Sequence, residues 1–193
     1  MREAHETSMA ASKIMLIRHG EKADGTGATI GVAISGREDP RELSVRGWQR
    51  AGAIAVLFGR VSDLTGRAPA LPVPTSIYAA RSSPKSNRSL RTVELLAASL
   101  SITIDASYGD GDEADVVSKA VARGGTALIA WKHDGLPVLA GLVSGGRVEC
   151  PSKWPDDRFD VVWLFERANP LQPWRFSQVP QLLLPGDRAD PIR

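Results

Sequence analysis

Between residues 13 and 143 the chain alternates short apolar runs with stretches whose apolar residues return every three or four positions, and this alternation constrains the fold most. Lys13 to Ile17 is too short for a helix and is bounded by charge, so it reads as a buried strand. Ser44 is a suitable N-cap for a helix running to Phe58, with Trp48, Ala51, Ala55 and Phe58 at helical spacing, and Gly59 ends it. The pattern then predicts a strand at Ser76–Ala80, a helix from Asn87 to Ser99, a strand at Ile102–Ile104 and a helix from Ala114 to Ala122 closed by Gly124-Gly125. A strand at Ala127–Trp131 and a helix near Pro137–Val143 complete the series. Such alternation implies βαβ crossovers, hence an α/β protein: a three-layer α/β/α sandwich around a mostly parallel central sheet. Val161–Phe165 and Trp174–Val179, joined through Asn169-Pro170, read as a C-terminal antiparallel hairpin with one wet face. At 193 residues the chain suits a single domain, residues 1–193, with residues 1–12 as an N-terminal tail.

Composition narrows the function classes. The net charge is only +2, and the basic residues are scattered, so no nucleic-acid partner is expected. Of 24 basic residues 18 are Arg, whose planar fork of donors suits phosphate or carboxylate. Cys150 is the only cysteine, which rules out an internal disulfide and a cysteine-based zinc cluster. The longest apolar stretch, Ala51 to Phe58, is eight residues, so no membrane association is expected. Residues 1–13 have no apolar region of the secretory kind, His5 reads as a solvated tail residue, and a cytoplasmic location is expected.

Ligand sites in open α/β sheets lie beyond the carboxyl ends of the strands. The first strand runs directly into Arg18-His19-Gly20-Glu21, and the strand ending at Trp131 runs into Lys132-His133-Asp134. Arg88 and Arg91 stand near the start of the helix that follows the second strand. Two guanidiniums and two imidazoles at neighbouring strand ends make an anion site, and two Arg match the charge of a phosphate monoester. Helix N-termini facing the pocket would add donors. The long segment from Arg18 to Glu42 has no periodicity and carries several glycines, the pattern of a functional loop. Trp154-Pro155-Asp156-Asp157-Arg158-Phe159-Asp160 reads as a structural loop entering a strand.

These motifs resemble the histidine phosphatase superfamily, whose branches include phosphoglycerate mutases, fructose-bisphosphatases and phosphohistidine phosphatases. Arg18-His19-Gly20 is similar to its hallmark, and Leu43-Ser44-Val45-Arg46-Gly47 to its Leu-Ser/Thr-x-x-Gly segment. Ser83-Pro84 with Arg88 to Thr92 resembles its Ser-Pro…Arg-x-x-x-Thr stretch, and His133 its second histidine. The resemblance implies a metal-independent, cofactor-free phosphatase acting on a small phosphorylated substrate. In it His19 would take the phosphoryl group as a phosphohistidine, with Arg18, Arg88 and His133 holding its oxygens. The general acid stays open. One branch places an Asp directly after the second histidine, here Asp134, whose alternative role is capping the next helix. Another uses a Glu on a separate loop, where Asp110, Asp112, Glu113 and Asp115 lie.

Glu21, Lys22 and Arg91 are the candidate substrate-binding residues. Arg91 also competes with Arg88 for the phosphate, because the Ser-Pro to Arg spacing is one residue longer than the common form. Lys22 stands where mutases carry Ser or Thr, and Asp24 follows. That argues against a phosphoglycerate mutase-like phosphotransferase, which remains an alternative beside a catalytically weak phosphoryl-binding module.

Overall fold

The computed structural model describes residues 12–59 and 71–193. Six strands form one sheet: β1 (Ser12–Arg18), β2 (Ser76–Ala79), β3 (Ile104–Asp105), β4 (Gly125–Trp131), β5 (Val161–Arg167) and β6 (Arg175–Pro180). Their spatial order is β3-β2-β4-β1-β5-β6. The first four run parallel, while β5 pairs antiparallel with both β1 and β6. The described helices are α1 (Val45–Leu57), α2 (Arg88–Leu100), α3 (Glu113–Arg123) and α4 (Leu136–Ser144).

The alternation within each strand sorts the core into two halves. Ile14, Leu16, Ile129, Trp131, Trp163 and Phe165 face the side covered by Val116 and Ala120 of α3 and by Leu139 and Val143 of α4. Met15, Ile17, Leu128, Ala130, Val162 and Leu164 face Ile54 of α1 with Val93 and Leu96 of α2. The architecture is therefore the expected α/β/α sandwich with a mostly parallel sheet.

Beyond one-residue shifts at element ends, three features differ from the pattern. The first strand starts at Ser12, inside the expected tail; residues 1–11, with His5, lie outside the described residues. Strand β3 is only Ile104–Asp105, because α2 extends to Leu100 and Ser101 turns left-handed at φ 56°, leaving Ile102 to pack beneath the sheet. The expected wet face of the terminal hairpin is not found on β5. Val161 to Phe165 are all buried, since β5 sits between β1 and β6 with both faces covered.

Candidate active site

Strand β1 delivers Arg18 and His19 to the carboxyl edge of the sheet, where the His19 amide donates to the Trp131 carbonyl at 3.0 Å. The His19 side chain is almost wholly buried. Its Nδ1 lies 2.7 Å from the Gly20 carbonyl oxygen. A carbonyl only accepts, so Nδ1 carries the proton and Nε2 keeps its lone pair. Burial, with repulsion from Arg18, Arg88 and Lys22, pushes the imidazole down to about 3, so the ring is neutral around pH 7. A neutral ring with a free Nε2 is the form a nucleophile needs.

Arg18 is enclosed by the segment before β5. Its Nη1 donates to the carbonyls of Pro155 (3.0 Å), Asp156 (2.7 Å) and Arg158 (3.1 Å). The Phe159 ring covers the guanidinium at 3.9 Å. This anchoring uses one nitrogen and leaves Nε and Nη2 buried without a protein partner. Burial lowers the Arg18 pKa to about 10 despite nearby Asp156 and Glu21, so the side chain still carries its charge.

Arg88 opens α2. Its Nη1 donates to the Pro40 carbonyl at 3.0 Å and its Nε is buried without a partner, while burial lowers its pKa. The Arg-x-x-x-Thr spacing has a direct cause. Thr92 lies one turn on, donates to the Arg88 carbonyl at 2.7 Å and accepts from the Gly20 amide at 2.8 Å. One hydroxyl thus ties the start of α2 to the loop carrying His19. Arg91, by contrast, is held by carboxylates, donating to Glu42 at 3.1 Å and to Glu94 at 2.9 Å.

The Leu-Ser-x-x-Gly segment fixes the same loop from the other side. Ser44 caps α1 by accepting from the Gly47 amide at 3.2 Å, and its own amide donates to the Glu21 carbonyl at 2.9 Å. The Glu21 carboxylate turns to Arg46 and Arg50, with 2.8 Å to Arg50 Nη2, which also meets Asp187 at 2.7 Å. Lys22 is exposed on the loop.

His133 follows β4, partly exposed. Its Nε2 lies 2.6 Å from Asp156 Oδ1, and its Nδ1 lies 3.5 Å from Asp134 Oδ1. Asp134 makes no helix cap: the cap position of α4 is Gly135, with no side-chain bond. The acids just before α3 and at its first residue have other partners. Asp110 pairs with Lys132, Asp112 accepts from the Gly109 amide at 2.8 Å, and Glu113 accepts from Trp131 Nε1 at 3.3 Å.

The structure therefore brings Arg18, His19 and Arg88 together through Gly20 and Thr92, with His133 joined to the Arg18 anchor by Asp156. It turns Glu21 and Arg91 to ion pairs of their own. The segment 155–159 is the part that sequence reasoning assigned to structure alone. Its only signal was an Asp pair between Trp154 and Phe159, and nothing in the spacing marks it as reaching His133. Among the described residues, no group of three or more His, Cys, Asp or Glu is arranged to hold a metal ion.

No protein-family model and no curated protein sequence matches the chain. Solved structures do. A protein of Nakamurella multipartitia assigned as the phosphohistidine phosphatase SixA is 15% identical, with a TM-score of 0.52 over 87% of this chain and 94% of that one. A mycobacterial glucosyl-3-phosphoglycerate phosphatase is 13% identical, with a TM-score of 0.51 over 86% and 97%. A phosphoglycerate mutase from Bacillus anthracis is 11% identical, with a TM-score of 0.52 over 90% and 95%. The chain is similar to these in fold.

Proposed function

We propose that this protein is a phosphatase that hydrolyses small phosphomonoesters through a phosphohistidine formed on His19. The observation carrying this reading is the pairing of a neutral, buried His19, Nε2 free, with three unpartnered guanidinium nitrogens, Arg18 Nε and Nη2 and Arg88 Nε. Buried donors left unsatisfied are costly, on the order of 1–3 kcal/mol each and more when charged, so a site that retains them is built for an anion. The phosphoryl group suits both its charge and its three oxygens.

In the first half-reaction His19 Nε2 attacks phosphorus while the arginines and His133 offset the charge on the equatorial oxygens. In the second, water attacks the phosphohistidine and releases inorganic phosphate. The leaving oxygen takes its proton from a carboxylate beside His133, where Asp134 and Asp156 both stand. The exposure of Lys22 on the loop after His19 supports a role for it in meeting the rest of the substrate. The deep burial of His19 and Arg18 supports a small substrate over a folded phosphoprotein.

The test is release of phosphate from an aryl phosphate, with and without EDTA, beside acid-labile, base-stable labelling of His19. Wild-type protein is expected to turn over in both conditions and His19→Ala to do neither. Turnover that survives His19→Ala, or that stops with EDTA, overturns the reading. Phosphate binding without labelling would make the protein a binding module.

A further inference from the structure

The geometry points to Asp156 as the residue that protonates the leaving group, an assignment that rests on the phosphatase reading above. Asp156 does two things at once. Its backbone carbonyl accepts from Arg18 Nη1 at 2.7 Å, and its Oδ1 lies 2.6 Å from His133 Nε2. A single residue thus bridges the group preceding the nucleophile and the second histidine. Its side chain is 80% exposed, so Oδ2 is open to solvent and to a bound ester. A carboxylate with one oxygen held beside the second histidine and the other open to a bound ester is suited to moving a proton there.

The other carboxylates are less well placed. Asp134 lies on the opposite edge of the His133 ring, 3.5 Å from Nδ1. Asp110, Asp112 and Glu113 are engaged by Lys132, the Gly109 amide and Trp131. None of these contacts the segment that anchors Arg18.

The proton balance closes without an added reagent. A phosphate monoester loses its second proton at about pH 6, so the monoanion brings one proton into the site. Asp156 Oδ2 accepts that proton and passes it to the leaving oxygen as the P–O bond breaks and the bond from His19 Nε2 to phosphorus forms. The products are the free alcohol and the phosphohistidine, with Asp156 again a carboxylate. Water then attacks phosphorus and loses a proton to Asp156. The N–P bond breaks, and the departing phosphate takes the proton with it.

Leaving-group dependence tests the assignment. Asp156→Asn, Asp134→Asn and wild type are compared on an alkyl phosphate, whose alkoxide must be protonated, and on 2,4-dinitrophenyl phosphate, whose phenolate leaves unaided. Asp156→Asn is expected to lose about 10²-fold or more in kcat/KM on the alkyl ester, with less than a tenth of that loss on the aryl ester. Asp134→Asn is expected to lose the same factor on both. Equal losses on both esters in Asp156→Asn would make it only an orienting partner of His133 and overturn the proposal. So would a leaving-group-dependent loss in Asp134→Asn, or tighter vanadate binding by Asp156→Asn with kcat unchanged. Thermal unfolding of each variant identifies a folding defect, and Asp156→Glu, which restores a carboxyl, should recover part of the alkyl activity; its failure to do so in a folded protein also counts against the assignment. Wild-type protein that never labels at His19 refutes the phosphatase reading and this assignment with it, whereas labelling with the wrong leaving-group pattern refutes Asp156 alone.

Discussion

Arg88 and Arg91 stand three residues apart on α2, and their partners separate them. Arg88 keeps a buried Nε without a partner, while Arg91 is held between Glu42 and Glu94. Arg88→Ala is expected to lower kcat by roughly 10²–10³, the cost of removing one donor to a developing oxyanion. Arg91→Ala should lower the melting temperature, because Glu42, almost wholly buried, would keep only Asn87 as a side-chain partner, and should change kcat little. A larger kcat loss at Arg91 would move the phosphate site one helical turn. At His19, burial pushes the ring down to about 3 in the folded protein, against about 6.5 in an unfolded chain. Between those values the unfolded state binds the additional proton. His19 therefore contributes stability in full above pH 6.5, and that contribution is lost as the pH falls towards 3. Urea midpoints of wild type and His19→Asn across this range measure it: the advantage of the variant should grow as the solution is acidified. Sequence made these residues legible because each sits at a fixed offset within one motif. Asp156 was not legible, since its contact with His133 spans 23 positions in the chain and has no local spacing to betray it.

Among the elements, α1 shows how a motif glycine is explained by approach rather than by backbone freedom. A Cβ on Gly47 would stand 2.3 Å from the Glu21 carbonyl oxygen and 3.0 Å from the Glu21 amide nitrogen. Exchanging a helical Gly for Ala ordinarily stabilises by about 0.5–1 kcal/mol, but here the loop carrying His19 would have to retreat. Gly47→Ala should lower both the melting temperature and kcat, and a variant that melts higher with unchanged kcat would show the contact to be compliant. Helices and inner strands were readable because their apolar periods are set by the two faces they must bury. The misjudged elements were decided by neighbours instead. Strand β5 lost its wet face to Trp154, Phe176 and the helices across the sheet, and β3 was shortened by the two residues that end α2.

Over the whole molecule, Arg50 joins the ends of the described chain. It pairs with Glu21 just past β1 and with Asp187 near the C-terminus, and its own side chain is 1% exposed. Burial opposes its charge, yet Asp187 and Glu21 outweigh that and raise its pKa further. Arg50→Met would leave the half-exposed Arg46, 3.1 Å from Glu21 and 3.6 Å from Asp187, as the remaining cation for both carboxylates, and should cost up to about 3–5 kcal/mol in urea unfolding. Replacing all three charges by apolar residues of similar volume should restore most of that loss. Recovery no better than the single variant would mean that the triad also shapes the loop after His19.

The same long reach governs how the molecule assembles. Arg18 is held by carbonyls 137, 138 and 140 positions away. Closing so large a loop is slow, because chain entropy is given up before the distant contact repays it. On refolding from urea, far-ultraviolet ellipticity should therefore return before the protein regains its grip on vanadate, and the two signals should be separated in a stopped-flow experiment. Coincident traces would mean that the strand pairing of β5 with β1 has already brought residues 155–158 home. A nascent chain leaving the ribosome faces the same order of events: with β1 to α4 complete, Arg18 still lacks the carbonyls that hold it, and they arrive only with residues 155–158.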